Sequence, residues 1–384
     1  MRPAFRALAV ASALAGIALT ARPAAAIPVF ANGQGGVSCE MCHSSVPALN
    51  AYGRYILATN FARVLDAHAQ MLQNKRLPVA VLASANRSSV PNPSFGTKIY
   101  AAVVDLLSAG YIGPKVTYYA SVPIEEGGFP APAVDQLWVA YDGLAGGNGS
   151  LQVGKFPTPF FAPWVSQTMT LSGYGLAALP VGLNSVGVGD NRWGISYTQI
   201  GGKGLIANVA YMTNTGPEEE AYDEDIDAGG EGTAWVGSVQ YLWPASRWSG
   251  GVTILRGSYP LPSGASDQFT RNGALLSYGF PKGSLMVMGL QGYDSNPNDG
   301  ATPPSTSHGL SFETMYGPVL WLNLDLRYDT TNDGLGTLSR NYVMDASFNV
   351  RPNVVFTVED VASVGGTPVF NYQLLWSGPW WRQR

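Results

Sequence analysis

Hydrophobic and polar residues alternate along most of the chain from about residue 77 onward. In the clearest stretch, Leu320 to Tyr328, leucines occupy every second position, and Trp321, Asn323, Asp325 and Arg327 occupy the positions between them. The same alternation places Asp142 and Gln136 opposite Leu137, and Asp345 opposite Met344. Strict alternation over several residues predicts β-strands with two chemically different faces.

The alternation predicts about sixteen strands of roughly ten residues, the length needed to cross a bilayer at a tilt. They span residues 77–87, 98–109, 114–122, 134–143, 149–157, 193–200, 204–213, 233–243, 247–257, 270–280, 284–293, 308–316, 319–328, 340–349, 353–361 and 368–376.

The connections between these strands alternate in length. Short turns such as 201–203 and 281–283 follow long loops such as 158–192 and 214–232. A soluble β-sandwich also has alternating strands, but alternation of short turns with long loops is typical of outer-membrane barrels with an even strand number. The prediction is a mainly β protein, an antiparallel transmembrane β-barrel of about sixteen strands, with outer-membrane lipid around it.

Composition agrees with an exported barrel. Charged residues make up 12% of the chain, about half the usual share of roughly 25%, whereas Gly (46 residues), Tyr (19) and Trp (10) are abundant and the mean hydropathy is +0.04. The apolar residues are therefore dispersed, and no transmembrane helix is expected after the N-terminal segment. The net charge of -4 and the lack of a basic patch argue against a nucleic-acid partner.

The N-terminal segment predicts export. Arg2 and Arg6 precede an apolar stretch at residues 7–20, and Ala24 to Ala26 form a small-residue cleavage site. This order is typical of a secretory signal peptide, here residues 1–26, and without adjacent arginines the Sec route is expected. Residues 27–76 form a second unit with a helical pattern from Pro47 to Lys75, and residues 77–384 form the barrel.

The two cysteines of the 384-residue chain lie in one motif, Cys39-Glu40-Met41-Cys42-His43. In an exported protein, C-x-x-C-H predicts one covalently bound haem c, with thioethers at Cys39 and Cys42 and His43 as the proximal iron ligand. A small disulfide, a redox dithiol and a chance match are the alternatives. Haem is favoured because a histidine follows directly and no thioredoxin-like βαβ pattern surrounds the motif.

Two residues are candidates for the distal iron ligand. His68 and Met71 lie three positions apart on the predicted helix and therefore on one face. A second histidine would lower the haem potential and a methionine would raise it. The alternative is that His68 faces solvent and Met71 packs within the helix.

An acidic run lies in the long loop at 214–232. Its members are Glu218, Glu219, Glu220, Asp223, Glu224, Asp225 and Asp227. Carboxylate oxygens attract divalent cations, so cation recruitment is one hypothesis. A solvated loop is the favoured alternative, because runs of like charge are usually solvated.

The polar strand positions Gln136, Asp142, Asp325, Arg327, Asp345 and Glu359 are expected to face the lumen.

Three stretches near the N-terminus carry a family resemblance: Pro28-Val29-Phe30-Ala31, the C-x-x-C-H motif, and Pro47-Ala48-Leu49-Asn50-Ala51-Tyr52-Gly53-Arg54. Over about thirty residues they resemble the outer-membrane fused monohaem cytochrome c–porins, some of which are regarded as iron(II) oxidases. The resemblance implies a small helical c-type cytochrome segment inside the barrel. It also implies iron(II):cytochrome c oxidoreductase activity, in which single electrons pass from extracellular Fe(II) through the haem to a periplasmic c-type cytochrome.

Two other functions are compatible with the same sequence. The chain could be a solute-diffusion porin with a haem-containing plug, or a conduit that reduces extracellular acceptors. The three hypotheses differ in the haem potential and in whether the pore admits solutes.

Substituting the two distal candidates separately tests their role. If His68 is the ligand, His68→Ala changes the Soret band of the purified protein; if Met71 is the ligand, Met71→Ala abolishes the long-wavelength methionine–iron band. Unchanged spectra in both variants would eliminate both candidates.

Overall fold

The structure is a computed structural model. It describes residues 42–45, 48–61, 79–90, 98–126, 129–130, 134–159, 170–177, 179–213, 232–242, 245–319, 321–351 and 354–379. The predicted signal peptide, Cys39, His68, Met71 and the acidic run at 218–227 lie outside the described residues.

The described elements, in chain order, are mostly long strands. They are β1 (His43–Ser45), β2 (Ala48–Leu49), α1 (Ala51–Ala58), β3 (Val79–Ser88), β4 (Ile99–Gly113), β5 (Val116–Glu126), β6 (Phe129–Pro130), β7 (Gln136–Leu144), β8 (Gly149–Pro157), β9 (Asn191–Ile200), β10 (Leu205–Thr213), β11 (Thr233–Tyr241), β12 (Trp248–Pro260), β13 (Ser266–Phe280), β14 (Gly283–Asp294), β15 (Ser305–Val319), β16 (Leu322–Asn332), β17 (Leu338–Arg351), β18 (Val354–Ser363) and β19 (Val369–Pro379). No helix among the described residues is long and apolar enough to span a membrane.

Sixteen of these strands form one closed antiparallel barrel. Each long strand pairs with its neighbours in chain order, and β19 pairs with β3 to close the ring. The two-residue β6 only extends the edge of β5, which pairs directly with β7. Closure leaves no unpaired sheet edge. The predicted mainly β, sixteen-stranded barrel is therefore confirmed.

The strand positions also agree with the sequence. Strand β8 has the predicted bounds, 149–157, but others are longer, because backbone pairing continues past the point where the side chains stop alternating. Strand β16 ends at Asn332 and β13 begins at Ser266, so the loop after β16 and the loop before β13 are shorter than predicted. The loop 329–339 is thus reduced to 333–337.

The two faces of the strands have the polarity of a membrane barrel. Outward side chains are apolar and exposed, such as Leu326 (53%) and Trp235 (60%), whereas inward side chains such as Asp325 (1%) and Glu359 (0%) are buried and charged. A soluble sandwich would bury the leucines and expose the acids. The predicted lumen-facing positions are thus confirmed for Asp325, Arg327, Asp345 and Glu359.

Helix α1 is much shorter than the predicted helical stretch 47–75. Asn50 caps its start by accepting a hydrogen bond from the Gly53 N–H (2.9 Å), and it ends at Ala58. Asn60 and Phe61 then adopt left-handed φ values of 51° and 62°. The prediction of a continuous helix through these positions is wrong, because tertiary contacts of Asn60 and Phe61 with the barrel wall override local helix propensity.

The polarity of the outer face can be tested by charge insertion at two depths. Leu326 lies in the middle of β16, so Leu326→Arg should lower the free energy of unfolding in lipid vesicles by about 2–4 kcal/mol. The matched control is Leu338→Arg at the loop end of β17, which should cost about 0–1 kcal/mol. Equal costs measured by urea titration would contradict the assigned depth.

Candidate functional site in the barrel lumen

The described part of the C-x-x-C-H motif, Cys42 and His43, precedes α1 and packs against its first turn. His43 is buried (8% exposed) and Cys42 is half-buried. The Cys42 carbonyl accepts a hydrogen bond from the Asn50 N–H (2.9 Å), and a Cβ at Gly53 would overlap that same carbonyl. Glycine at position 53 therefore lets the helix pack directly against the motif.

The donor set of this segment fits a c-type haem. Cys42 supplies a thiol and His43, the next residue, supplies an imidazole, the two chemistries that thioether attachment and proximal ligation require. The packing of Asn50 and Gly53 on Cys42 fixes the backbone that carries both groups.

Three hydrogen bonds join this N-terminal segment (residues 42–61) to the inner wall of the barrel. Arg54 Nη2 donates to Ser249 Oγ on β12 (2.9 Å), and Asn60 Nδ2 donates to Ser150 Oγ on β8 (3.0 Å). Tyr111 on β4 donates its hydroxyl to the Phe61 carbonyl (2.6 Å). All three wall residues lie near the ends of their strands that carry the short turns. The segment therefore lies in that half of the lumen.

An aromatic cluster holds the end of the segment. The Phe61 ring stacks on Trp138 of β7 with 5.5 Å between centroids and lies 5.9 Å from Tyr119 of β5. Such ring pairs contribute about 0.5–1.5 kcal/mol each beyond the burial of their area. This contact explains why the chain leaves the helix before Phe61.

A second segment also enters the lumen. The connection between β8 and β9 does not stay outside the barrel; its described residues 170–177 and 179–190, termed here the inward loop, contact the inner wall. Asn184 donates to Asp267 (2.7 Å) and Asp294 (2.9 Å), and Arg271 holds the same Asp294 with two hydrogen bonds of 2.8 and 2.9 Å. The sequence pattern predicts only a long loop at 158–192 and gives no sign that it folds inward.

The first part of the inward loop is fixed by Arg327 and two wall acids. Arg327 donates to the carbonyls of Ser172 and Gly173 (both 2.9 Å) and its guanidinium lies 4.6 Å from the Tyr174 ring centroid. Ser172 N–H donates to Glu359 (3.0 Å), and the Tyr174 hydroxyl donates to Glu313 (2.6 Å). Burial, and next the negative charge of Glu313, raise the pKa of the Tyr174 phenol well above its ordinary value, so it stays a donor.

The structure brings together four of the six predicted lumen positions. Arg327 and Glu359 both contact the inward loop, and Asp325 and Asp345 are neighbours on β16 and β17. Asp142 instead accepts a hydrogen bond from Thr117 on the opposite part of the wall. The sequence patterns did not identify Glu313 or Tyr174 as site residues. The buried charges on neighbouring strands were the available signal, since such charges require partners inside the protein.

Comparison with known proteins gives the fold. No family model and no curated protein matches the sequence. An anion-selective porin from Comamonas acidovorans is similar in structure, with a TM-score of 0.57 at 12% identity over 79% of this chain and 99% of that chain.

Two further outer-membrane proteins have the same architecture. OmpT from Vibrio cholerae gives a TM-score of 0.56 at 10% identity, covering 79% of this chain and 99% of that one. The outer-membrane channel DcaP of Acinetobacter baumannii gives 0.55 at 11% identity, covering 78% and 95%. At these identities the likeness establishes a porin-like barrel fold.

The hydrogen bond between Tyr174 and Glu313 tests how the inward loop is held. Tyr174→Phe leaves a buried carboxylate without its donor, and should reduce the protection of residues 170–177 against hydrogen exchange by about 1–3 kcal/mol. Because the folded-state pKa of Tyr174 is raised, wild-type protection should be constant up to roughly pH 10, the ordinary tyrosine pKa, and fall above it.

The control is Tyr259→Phe. In the wild-type protein the Tyr259 hydroxyl lies 3.4 Å from the Ser185 hydroxyl at an exposed position. Its exchange pattern should match wild type. Equal loss of protection in both variants would show that the Glu313 contact does not hold the loop.

Proposed function

We propose that this chain is an outer-membrane barrel that carries a c-type haem in its lumen and transfers single electrons. The electrons would pass from an extracellular donor such as Fe(II) to a periplasmic c-type cytochrome. The observation that carries the proposal is the position of Cys42 and His43, which open the segment that is hydrogen-bonded to the inner wall through Arg54 and Asn60.

The outer-membrane location is supported by the polarity of the barrel and by its porin-like fold. The outward leucines and aromatics form an apolar surface, and a closed barrel satisfies every strand hydrogen bond within the protein. Short turns of such barrels face the periplasm. The strands that begin and end the barrel, β3 and β19, have their terminal ends on that side.

The residues of the chain have separate tasks in this proposal. Cys39 and Cys42 would hold the haem by thioethers and His43 would ligate its iron, with His68 or Met71 as distal candidates. When bound, haem c supplies a one-electron iron couple. Arg54, Asn60 and Phe61 fix the segment against the wall, and the barrel excludes lipid from it.

A second candidate function is solute diffusion through a barrel partly filled by a plug. The specific observation in its favour is the fold likeness, since the similar structures are named as porins and channels. That likeness favours diffusion more directly than electron transfer. The N-terminal segment and the inward loop both occupy the lumen, which narrows the path for solutes.

Anaerobic mixing of the purified full chain with Fe(II) separates these functions. The protein, produced in a host that attaches haem c, should retain haem on a denaturing gel, and its reduced spectrum should appear within a single turnover. Cys42→Ala should lose the covalent haem. A chain that binds no haem under these conditions would refute the proposal, and haem that Fe(II) leaves oxidised would instead favour outward electron flow to an extracellular acceptor.

Two further measurements use the same preparation. Rapid swelling of sugar-loaded liposomes would support the diffusion porin.

Neutralising the seven acids of the 218–227 run should slow reduction by Fe(II) at low salt if they recruit the cation. An unchanged rate would identify the run as a solvated loop.

A further inference from the structure

The short turns of the barrel carry positive charge alone. Seven short connections link the described strands at one end, at residues 114–115, 145–148, 201–204, 242–247, 281–282, 320–321 and 352–353, and none contains Asp or Glu. The basic residues in or directly beside them, all exposed, are Lys115, Lys203, Arg247, Lys282 and Arg351. Among the described residues, none of these five forms an ion pair.

The opposite end of the barrel carries both signs of charge. Exposed Arg87, Lys98 and Arg340 lie near the long connections, and so do Asp299 and Asp333. The whole chain has a net charge of -4. The positive rim is therefore a property of the end with the short turns and does not reflect a basic protein.

Three of the basic residues occupy consecutive short turns and are termed here the basic arc. Lys203 lies between β9 and β10, Arg247 between β11 and β12, and Lys282 between β13 and β14. Neighbouring strands lie about 4.8 Å apart, so successive short turns are about 10 Å apart and the arc spans about 20 Å. Arg247 lies two residues before Ser249, which accepts a hydrogen bond from Arg54 (2.9 Å). The N-terminal segment is thus joined to the wall next to the middle of the arc.

Two members of the arc lie at backbone positions that favour glycine. Lys203 and Lys282 have φ values of 57° and 70°, in the left-handed region that residues with a Cβ rarely adopt. In a two-residue turn such as Pro281–Lys282, the position with positive φ ordinarily holds Gly or Asn. The Lys282 ammonium has three donors and gives one of them to the Pro318 carbonyl (2.8 Å). A lysine at these tips does not serve the turn backbone, and its charge faces solvent.

We propose that the basic arc docks the acidic face of the soluble protein that exchanges electrons with the barrel. The proposal rests on the electron-transfer function proposed above, and it specifies the periplasmic partner as a protein with carboxylates around its redox centre. Electron-transfer complexes bury little surface, so complementary charge steers their encounter and fixes their orientation. A partner on the arc would lie at the opening of the half of the lumen that holds the N-terminal segment.

Phospholipid phosphates are the other anions on this side of a membrane. The members of the arc lie in connections beyond the ends of the strands, whereas lipid-facing positions lie along the strands. This placement favours a soluble partner over a lipid headgroup.

Binding of an acidic probe tests the arc without depending on the haem. The full chain is placed in phosphatidylcholine nanodiscs, and binding of a soluble acidic c-type cytochrome is measured by biolayer interferometry. Wild type should bind this probe more tightly than a basic c-type cytochrome of similar size, and the affinity should fall as salt is added. Replacing Lys203, Arg247 and Lys282 together by Gln should weaken binding on the order of tenfold.

The matched control replaces Arg87, Lys98 and Arg340 by Gln, which removes the same charge from the opposite end and should leave the affinity unchanged. Heat-modifiable migration on gels confirms that each variant is folded. Equal weakening in both triple variants would overturn the proposal, because total charge would then attract the probe. No binding by wild type would also overturn it. If the arc variant instead retains less phosphatidylglycerol than wild type and binds the probe equally well, the arc holds lipid phosphates.

Failure of the proposed function has a different signature. An acidic cytochrome that binds at the arc while Fe(II) leaves the haem oxidised would support the docking surface and contradict electron entry from Fe(II). Reduction of the haem by Fe(II) with no binding of the probe would support electron transfer and overturn the docking surface.

Discussion

Closure of the barrel gives every wall strand a hydrogen-bonded neighbour on both sides. A strand that faces hydrocarbon must satisfy all its backbone hydrogen bonds within the protein, and the pairing of β19 with β3 leaves no open edge. Closure also fixes the polarity of the side chains. Every second residue must face lipid and be apolar, so the polar residues can point only inward.

Inward polarity creates a second requirement, because charged groups on the inner wall must find partners there. The inward loop supplies these partners: its backbone carbonyls accept from Arg327, and Asn184 donates to Asp267 and Asp294. The N-terminal segment adds hydrogen bonds from Arg54 and Asn60 to two wall serines, Ser249 and Ser150. Two parts of the chain thus occupy the lumen.

The arrangement has a consequence for function. An unfilled sixteen-stranded barrel encloses an aqueous channel. Here the segment that carries Cys42 and His43 lies in the half of the lumen with the short turns, and the inward loop contacts the inner wall where Tyr174 donates to Glu313. A redox group attached to that segment would lie inside the barrel wall, whereas a soluble cytochrome could reach only one side of the membrane.

Local patterns identified the strands and their two faces, because alternation is a property of neighbouring residues. The C-x-x-C-H spacing is equally local, and haem attachment stays a prediction from it. Leu326 and Asp325 were assigned to opposite faces from their neighbours alone, and the structure agrees. Long-range contacts fix three features that local patterns do not: the end of α1 before Phe61, the path of the inward loop, and the contact of Tyr174 with Glu313. These contacts join residues far apart in the chain, here 139 positions for Tyr174 and Glu313, and no local pattern encodes which distant strand will lie opposite.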